Sequence, residues 1–245
     1  MSASIDIHSN KRVLMIVANP ATSPNTGWPI GFWWAEVTHP YWAFTEAGYA
    51  VDIVSPDGGD LQADGFSDPE DESQYSAHDI VSLGFKKSPT HSALLKNTKP
   101  IADVDIADYD AIFVAGGQSP MVTMVDHASL YSFIASAYEG GKIVSIVCHG
   151  TATLLKTRLA NGDLLVKGKT WTGFANAEEQ FADDFVGQKI QPFWIETEAR
   201  KLEDTNFVVQ SPFKPFALRD GNLITGQQQF SGAAAAALVI EALGR

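Results

Sequence analysis

Cysteine and basic residues are scarce in this 245-residue sequence. It contains one cysteine, Cys148, and its 17 lysines and arginines face 29 aspartates and glutamates, for a formal net charge of −12. A single cysteine cannot form an intrachain disulfide, so a reducing, cytoplasmic compartment is expected. The negative charge argues against nucleic acid or an anionic membrane surface as the main partner, because both attract cationic proteins.

Long apolar runs are also absent. The nearest candidate, Gly232–Leu243, is shorter than the roughly 20 apolar residues that a membrane-spanning helix needs, and it contains Glu241. The start of the chain lacks the apolar core of a secretory signal. We therefore expect a globular domain with no membrane partner.

About a third of the chain contains no lysine or arginine. Between Arg12 and Lys86 there is no lysine or arginine, although carboxylates are frequent. A pocket walled by this part of the chain would have no ammonium or guanidinium group with which to bind phosphate or carboxylate. The distribution favours a small neutral substrate.

Apolar runs rich in β-branched residues alternate with helix-compatible stretches. The runs predict buried strands at residues 12–19, 49–55, 111–115 and 142–147, with weaker ones at 169–172, 207–209 and 222–225. The helix-compatible stretches are residues 39–48, 130–138, 151–158 and 232–243. This alternation predicts an α/β domain with a doubly wound, mostly parallel sheet and helices on both faces. Residues 56–100 are too long and irregular for a plain connection and form either a functional insertion or a solvated excursion.

Cys148 occupies the position typical of a nucleophile. It directly follows a predicted buried strand and precedes His149, Gly150 and a helix-like segment. Strand, sharp turn and helix form a nucleophile elbow, in which a small residue such as Gly150 allows the turn. The N–H groups at the start of the following helix are expected to lower the pKa of the thiol. The alternative is a buried structural cysteine, which would be more typical within a strand.

No histidine follows His149 in the sequence. Papain-like and glutaminase-like cysteine enzymes both need a histidine well downstream of the nucleophile. Both arrangements are therefore excluded, and the base is either His149 itself or a residue upstream.

Six segments, in this order, make a specific pattern. They are residues 31–40 (GFWWAEVTHP), 55–60 (SPDGGD), 116–117 (GG), 147–150 (VCHG), 168–179 (GKTWTGFANAEE) and 220–227 (DGNLITGQ). Together they resemble the ThiJ/PfpI superfamily, and more narrowly its branch of short heat-shock chaperones and glutathione-independent glyoxalases III. The resemblance implies a flavodoxin-like core in a single domain over residues 1–245, a small cap from the insertion at about 56–100, and a homodimer.

The resemblance also implies roles for individual residues. Cys148 matches the nucleophile and His149 the histidine beside it, while Glu36 matches the glutamate that hydrogen-bonds the thiol and moves protons. Glu179 matches the carboxylate that orients the histidine, although the adjacent Glu178 is an alternative. The backbone N–H groups of Gly117 and His149 are the expected oxyanion donors. No closely spaced histidine pair is present, so no metal site is expected.

The sequence departs from this branch around the expected pocket. Gln118 and Ser119 replace a usual His-Gly pair, and Trp33 and Trp34 replace aliphatic residues. We expect Trp33, Trp34, Gln118 and Glu178 to line the substrate pocket. Two adjacent tryptophans could also pack in the core.

The leading hypothesis is a cofactor-free, glyoxalase III-like enzyme that converts methylglyoxal or a related small carbonyl to lactate or its analogue. One alternative keeps the elbow and hydrates another small electrophile, as isonitrile hydratases of the superfamily do. Another is a holdase chaperone with no catalytic role.

Overall fold

The computed structural model describes residues 10–244. Residues 1–9, where no secretory signal is expected, and Arg245 lie outside the described residues. The strands are, in chain order, β1 (Arg12–Ile16), β2 (Ala21–Thr22), β3 (Pro29–Ile30), β4 (Ala50–Ser55), β5 (Asp57–Gly59), β6 (Thr98–Pro100), β7 (Ala111–Val114), β8 (Ile143–Val147), β9 (Thr170–Trp171), β10 (Asn206–Phe207), β11 (Ala217–Asp220) and β12 (Leu223–Gly226). The α-helices are α1 (Trp34–Glu46), α2 (Ile80–Lys87), α3 (Pro89–Ser92), α4 (Ala128–Glu139), α5 (Asn176–Val186), α6 (Ile195–Ala199) and α7 (Gly232–Leu243).

Eight of the strands form a central sheet in the order β11-β12-β8-β7-β1-β4-β6-β5. All neighbouring pairs are parallel except β5 with β6 and β11 with β12. Every residue of β7 and β8 is buried, which explains why these strands read as continuous apolar runs rather than as alternating patterns. The sheet confirms the predicted doubly wound, mostly parallel α/β fold.

Two of the weaker predicted strands form outside the central sheet. The strands at 169–172 and 207–209 appear as β9 and β10, which pair with each other in a separate two-stranded sheet. The strand at 222–225 is β12, and it joins the central sheet beside β8.

Helices cover the sheet on both faces. Helices α1 and α7 pack against each other, with α7 lying against β8 and β12, whereas α4 packs on β7 and β8. Gly232, at the start of α7, lies so close to Pro40 of α1 that a Cβ atom there would come within 3.1 Å of the proline ring. No helix within residues 10–244 has the length and apolar character needed to cross a bilayer.

Helix α1 begins at Trp34 rather than near His39, and Pro40 lies inside it. Pro40 lacks the N–H group that would bond the carbonyl of Glu36. Because proline is common at the start of helices, it suggested a later start in the sequence. The earlier start places Glu36 in the first turn of the helix.

Residues 56–100, predicted to form the cap, are divided between the sheet and the surface. The two ends of this segment form β5 and β6 at the edge of the central sheet, and the middle contains α2 and α3. Phe66 and Tyr75 reach from this segment to the pocket described below.

The chain reverses its winding direction at β1. Strand β4 lies on one side of β1 and β7 on the other, so the loops after β1 and β7 separate at the carboxyl end of the sheet. In doubly wound folds a crevice forms at this point and binds ligands. The loops after β7 and β8, which carry Gly117 and Cys148, lie at the same end.

Gly31 generates a prediction about stability. A Cβ atom at Gly31 would lie 1.7 Å from the carbonyl oxygen of Gln62, a backbone atom that cannot move aside. We expect Gly31→Ala to reduce the free energy of unfolding by about 3 kcal/mol or more, as overpacking of a closed interior does. Urea denaturation measures the change.

Gly84→Ala is the matched control. Gly84 is exposed in the interior of α2, and a Cβ atom there would have no neighbour within 4 Å. Alanine is the better helix former, so this variant should gain about 0.5–1 kcal/mol. Equal effects of the two substitutions would contradict the close approach at Gly31.

Candidate active site

Cys148 lies where β8 ends, in a strained backbone conformation. Its φ angle is +55°, in the left-handed region that residues other than glycine seldom adopt. A Cβ atom at Gly150 would come within 3.0 Å of the Ala115 carbonyl oxygen, and one at Gly116 within 2.8 Å of the Cys148 Cβ atom. Small residues on both neighbouring strand ends therefore allow the sharp turn of a nucleophile elbow. The helix that follows, Cys148–Leu155, is a 3₁₀-helix rather than the predicted α-helix.

His149 is held between Cys148 and Glu179. Its Nδ1 atom is 3.6 Å from the Cys148 Sγ atom, and its Nε2 atom is 3.0 Å from Glu179 Oε1. The imidazole also stacks on Phe174, with ring centroids 4.1 Å apart. Because an ionised carboxylate can only accept, Nε2 carries the proton in this contact and Nδ1 is free to accept one from the thiol.

The His149–Glu179 pair is buried, and burial affects the two groups in opposite ways. Burial by itself lowers the pKa of His149. The charge and the hydrogen bond of Glu179 raise this pKa, and with them the net pKa of His149 lies above its ordinary value. Burial raises the pKa of Glu179, and the contact with His149 opposes that rise. Each partner thus favours the charged form of the other.

Glu36 reaches the thiol from the first turn of α1. Its Oε2 atom accepts the N–H of Gly116 at 2.6 Å, whereas its Oε1 atom is buried without a hydrogen-bond partner within residues 10–244. Burial raises the pKa of Glu36 from 4.5 to about 7, against the opposing effects of Cys148, Gly116 and His149. A pKa near neutral pH suits this carboxyl group both to accept and to donate a proton.

The expected low pKa of the Cys148 thiol is not found. Burial is the largest cause of a rise in the thiol's pKa, and the charge of Glu36 raises it further, while the N–H groups of His149 and Gly117 lower it. The sequence indicated a favourable helix terminus, but it did not reveal how fully the sulfur is buried or how close a carboxylate lies. A proton on Glu36 removes the repulsion between the two groups, so it lessens the rise in the thiol pKa, of which burial is the larger cause.

Asp64 is a buried carboxylate that the sequence analysis missed. Its two oxygens accept the N–H groups of Gly31 at 2.9 Å and Gln118 at 2.7 Å, and burial raises its pKa to about 7. The contact with Gln118 fixes the loop that carries Gly117, whose φ angle is +107°. In the sequence Asp64 is one of many acidic residues in an irregular segment, and no pattern distinguishes it from its exposed neighbours.

A pocket opens above Cys148 and His149. Trp33, Gln118 and Gly117 line it, as do Glu179 and residues of α5. Among the described residues, 10–244, no lysine or arginine lines the pocket, although its walls extend well beyond the first third of the chain, from which they were predicted. This lining agrees with the scarcity of basic residues in the sequence.

Two residues predicted to line the pocket lie elsewhere. Trp34 is buried in the core between Phe32 and Phe85, with ring centroids 5.1 and 6.3 Å away. Glu178 accepts hydrogen bonds from the N–H groups of Ala175 and Phe213 and from the side chain of Gln227. Its carboxylate thus satisfies backbone groups behind the site, whereas Glu179 contacts the histidine.

Metal ligation is not favoured by the side-chain arrangement. Within residues 10–244, no three histidine, cysteine, aspartate or glutamate side chains are grouped so that they could hold a metal ion. His39, which occurs in a segment shared with the superfamily, instead contacts Asp79 at 2.9 Å. That contact joins α1 to the start of α2.

The raised pKa of Glu36 predicts how stability depends on pH. A carboxyl group with a pKa of about 7 when folded and 4.5 as its ordinary value binds more protons in the folded state, so ionisation between these values destabilises the protein as pH rises. Glu36→Gln removes this penalty. Relative to the natural protein, we expect the variant to gain about 2 kcal/mol of unfolding free energy between pH 5 and pH 8.

Urea denaturation of both proteins at the two pH values tests this expectation. Glu46→Gln, at an exposed residue at the other end of α1, is the control for the amide substitution itself. If the difference in unfolding free energy between Glu36→Gln and the natural protein does not change with pH, then folding does not raise the pKa of Glu36, and the prediction is wrong.

Comparisons with known proteins agree with this geometry. The chain is 26% identical over 234 residues to Glyoxalase 3 of Candida albicans, covering 95% of this chain and 98% of that protein. It is 30% identical over 152 residues to the probable glutathione-independent glyoxalase hsp3104 of Schizosaccharomyces pombe, covering 61% of this chain and 68% of the relative. The crystal structure of the rapid encystment protein of 24 kDa from Francisella tularensis superposes with a TM-score of 0.84 at 26% identity, over 96% of this chain and 100% of that chain.

The family profile extends over most of the chain. Residues 31–242 match the DJ-1/PfpI family, a range that contains Glu36, Cys148, His149 and Glu179. This chain therefore belongs to the DJ-1/PfpI family, in the branch that includes glyoxalase III.

Proposed function

We propose that this protein is a glutathione-independent glyoxalase, which uses Cys148 to convert a 2-oxoaldehyde and water into a 2-hydroxy acid. The observation that carries the proposal is the continuous set of contacts from Glu179 through His149 to Cys148, with Glu36 on the other side of the thiol. The names of the relatives in Candida albicans and Schizosaccharomyces pombe support the same reaction.

The first step is addition of the thiol to the aldehyde. His149 Nδ1 accepts the thiol proton, and the sulfur forms a bond to the aldehyde carbon. The backbone N–H groups of Gly117 and His149, which face the sulfur, are placed to stabilise the resulting oxyanion. Protonation of that oxygen by His149 completes a hemithioacetal.

The second step moves hydrogen from one substrate carbon to the next. Glu36 removes the proton from the former aldehyde carbon to form an enediolate and returns it to the neighbouring carbon. The hydroxyl proton of the first carbon moves to the oxygen of the second, which gives a thioester. The first carbon is oxidised and the second is reduced, so the redox change is internal and needs no cofactor. A carboxyl group with a pKa of about 7 is suited to both halves of this transfer.

Hydrolysis completes the cycle. Water adds to the thioester carbon, the carbon–sulfur bond breaks and the Cys148 thiol is restored with release of the 2-hydroxy acid. Glu179 keeps the imidazole oriented throughout, so that His149 can receive and return protons at Nδ1. Asp64 keeps the Gly117 loop in position through its hydrogen bond to Gln118.

We further propose that the enzyme is a cytoplasmic homodimer. A reduced thiol is needed for the first step, and a single cysteine with no disulfide partner suits a reducing compartment. Homodimers are expected from the resemblance to the superfamily. Sedimentation velocity of the purified protein distinguishes monomer from dimer.

The reaction itself is tested by lactate formation from methylglyoxal without glutathione. We expect the natural protein to form lactate, and Cys148→Ser to fall to the uncatalysed rate because the hydroxyl is a much poorer nucleophile than the thiolate. Circular dichroism verifies that the variant is folded. Unchanged lactate formation by Cys148→Ser would exclude a covalent role of the thiol.

Glu36→Gln tests the proton transfer separately. The amide preserves size and can still accept the N–H of Gly116, but it cannot take up the substrate proton. We expect kcat to fall by about 10²-fold or more, with a much smaller change in KM. Glu46→Gln provides the control on the same helix, and near-normal turnover by Glu36→Gln would assign the transfer to another group.

A further inference from the structure

Aromatic rings form the pocket walls above the reactive groups. Six of them come from three separate parts of the chain: Trp28, Trp33, Phe66, Tyr75, Phe181 and Phe185. A 2-oxoaldehyde bound through its aldehyde carbon to Cys148 would direct its substituent toward these walls. The substituent of methylglyoxal is only a methyl group, which is too small to contact most of these rings.

The rings contact one another continuously. Phe66 lies at the centre, with centroid distances of 5.9 Å to Trp28, 6.3 Å to Tyr75 and 6.2 Å to Phe185, all in edge arrangements. Tyr75 in turn contacts Trp33 edge-on at 6.0 Å. These contacts fix the positions of the ring faces and edges. A further aromatic ring, on a ligand, can pack against them in the same edge-to-face manner.

Two of the rings remain exposed at the pocket. Phe181 is 53% exposed and Phe185 66% exposed, and they lie one helical turn apart on α5 with their rings stacked. A group of large apolar side chains exposed to solvent often marks a binding site. A bound aromatic group would cover them.

The charges of the pocket lining further restrict which substituents the pocket can bind. The part of the chain that the structure describes contributes no lysine or arginine to the pocket lining, and the lining carboxylate Glu179 lies beside His149. A carboxylate or phosphate on the substrate would leave water without a cationic partner in the pocket. The substituent that fits these walls is therefore apolar and uncharged.

Resting on the proposed function, we propose that the preferred substrates are 2-oxoaldehydes with an aromatic substituent. The aldehyde carbon meets the Cys148 sulfur, and the ring lies among Trp33, Phe66 and Phe185. The reaction is the one given above, and its product is the corresponding aryl 2-hydroxy acid. Phe66 acts as a specificity residue because it connects the other rings.

A protection assay tests ligand preference without turnover. Cys148 is the only cysteine, so alkylation by iodoacetamide, followed by mass spectrometry, reports on this site alone. 2-Hydroxyacetophenone and hydroxyacetone share the same polar group and differ only in phenyl against methyl. We expect the phenyl compound to protect Cys148 at a concentration lower by about tenfold or more. Equal protection by both compounds would overturn the inference.

Steady-state kinetics test the same preference in the reaction. We expect kcat/KM for phenylglyoxal to exceed that for methylglyoxal by about tenfold or more. Phe66→Leu keeps an apolar side chain but removes the central ring, and should lower this ratio by about tenfold. Trp42→Leu is the control, since Trp42 is 57% exposed and lies outside the pocket, and should leave the ratio unchanged.

The two assays separate the two proposals. If neither aldehyde is converted, the proposed reaction fails, and protection of Cys148 still decides whether the pocket prefers aryl ligands. If both are converted but methylglyoxal is preferred and Phe66→Leu does not change the ratio, the aryl preference is wrong and the reaction stands.

Discussion

The site depends on one close approach, in which the Glu36 carboxyl group and the Cys148 side chain are buried against the backbone after β7. Gly116 makes this possible, because a Cβ atom there would come within 2.6 Å of Glu36 Oε2 and 2.9 Å of the backbone nitrogen of His149. The same approach raises the pKa of Glu36 and of the thiol, since burial disfavours both charged forms. The proton chemistry of the site is thus a consequence of how tightly α1 is packed against two strand ends.

Burial of several carboxyl groups in one region needs compensation, and the backbone provides it. Asp64 accepts two N–H groups, Glu178 accepts two N–H groups and an amide, and Glu36 accepts one. An unpaired buried polar group costs about 1–3 kcal/mol, so these bonds offset much of the penalty while fixing the loops that carry them. The loop with Gly117 is held through Gln118 in this way, and the start of α5, which carries Glu179, through Glu178.

Reactive groups and recognition groups come from different structural layers. The nucleophile and its donors lie on the ends of adjacent strands in the buried sheet, where packing restricts movement. The aromatic walls lie on a loop before α1, on the segment between β5 and α2, and on α5. Such a division lets the walls change with substrate while the chemistry is preserved, because surface segments tolerate substitution better than buried strands.

The sequence by itself determined the strand-and-helix alternation, the position of Cys148 after a buried strand and the lack of lysine and arginine between Arg12 and Lys86. These features depend on local patterns, which the sequence states directly. Only the tertiary structure decided between neighbours: Trp33 faces the pocket and Trp34 the core, and Glu179 meets His149 while Glu178 caps backbone groups. Successive residues of a helix differ by about 100° in direction, so a choice between them depends on what packs opposite. Asp64 and the high thiol pKa were hidden for the same physical reason, since burial is set by distant parts of the chain.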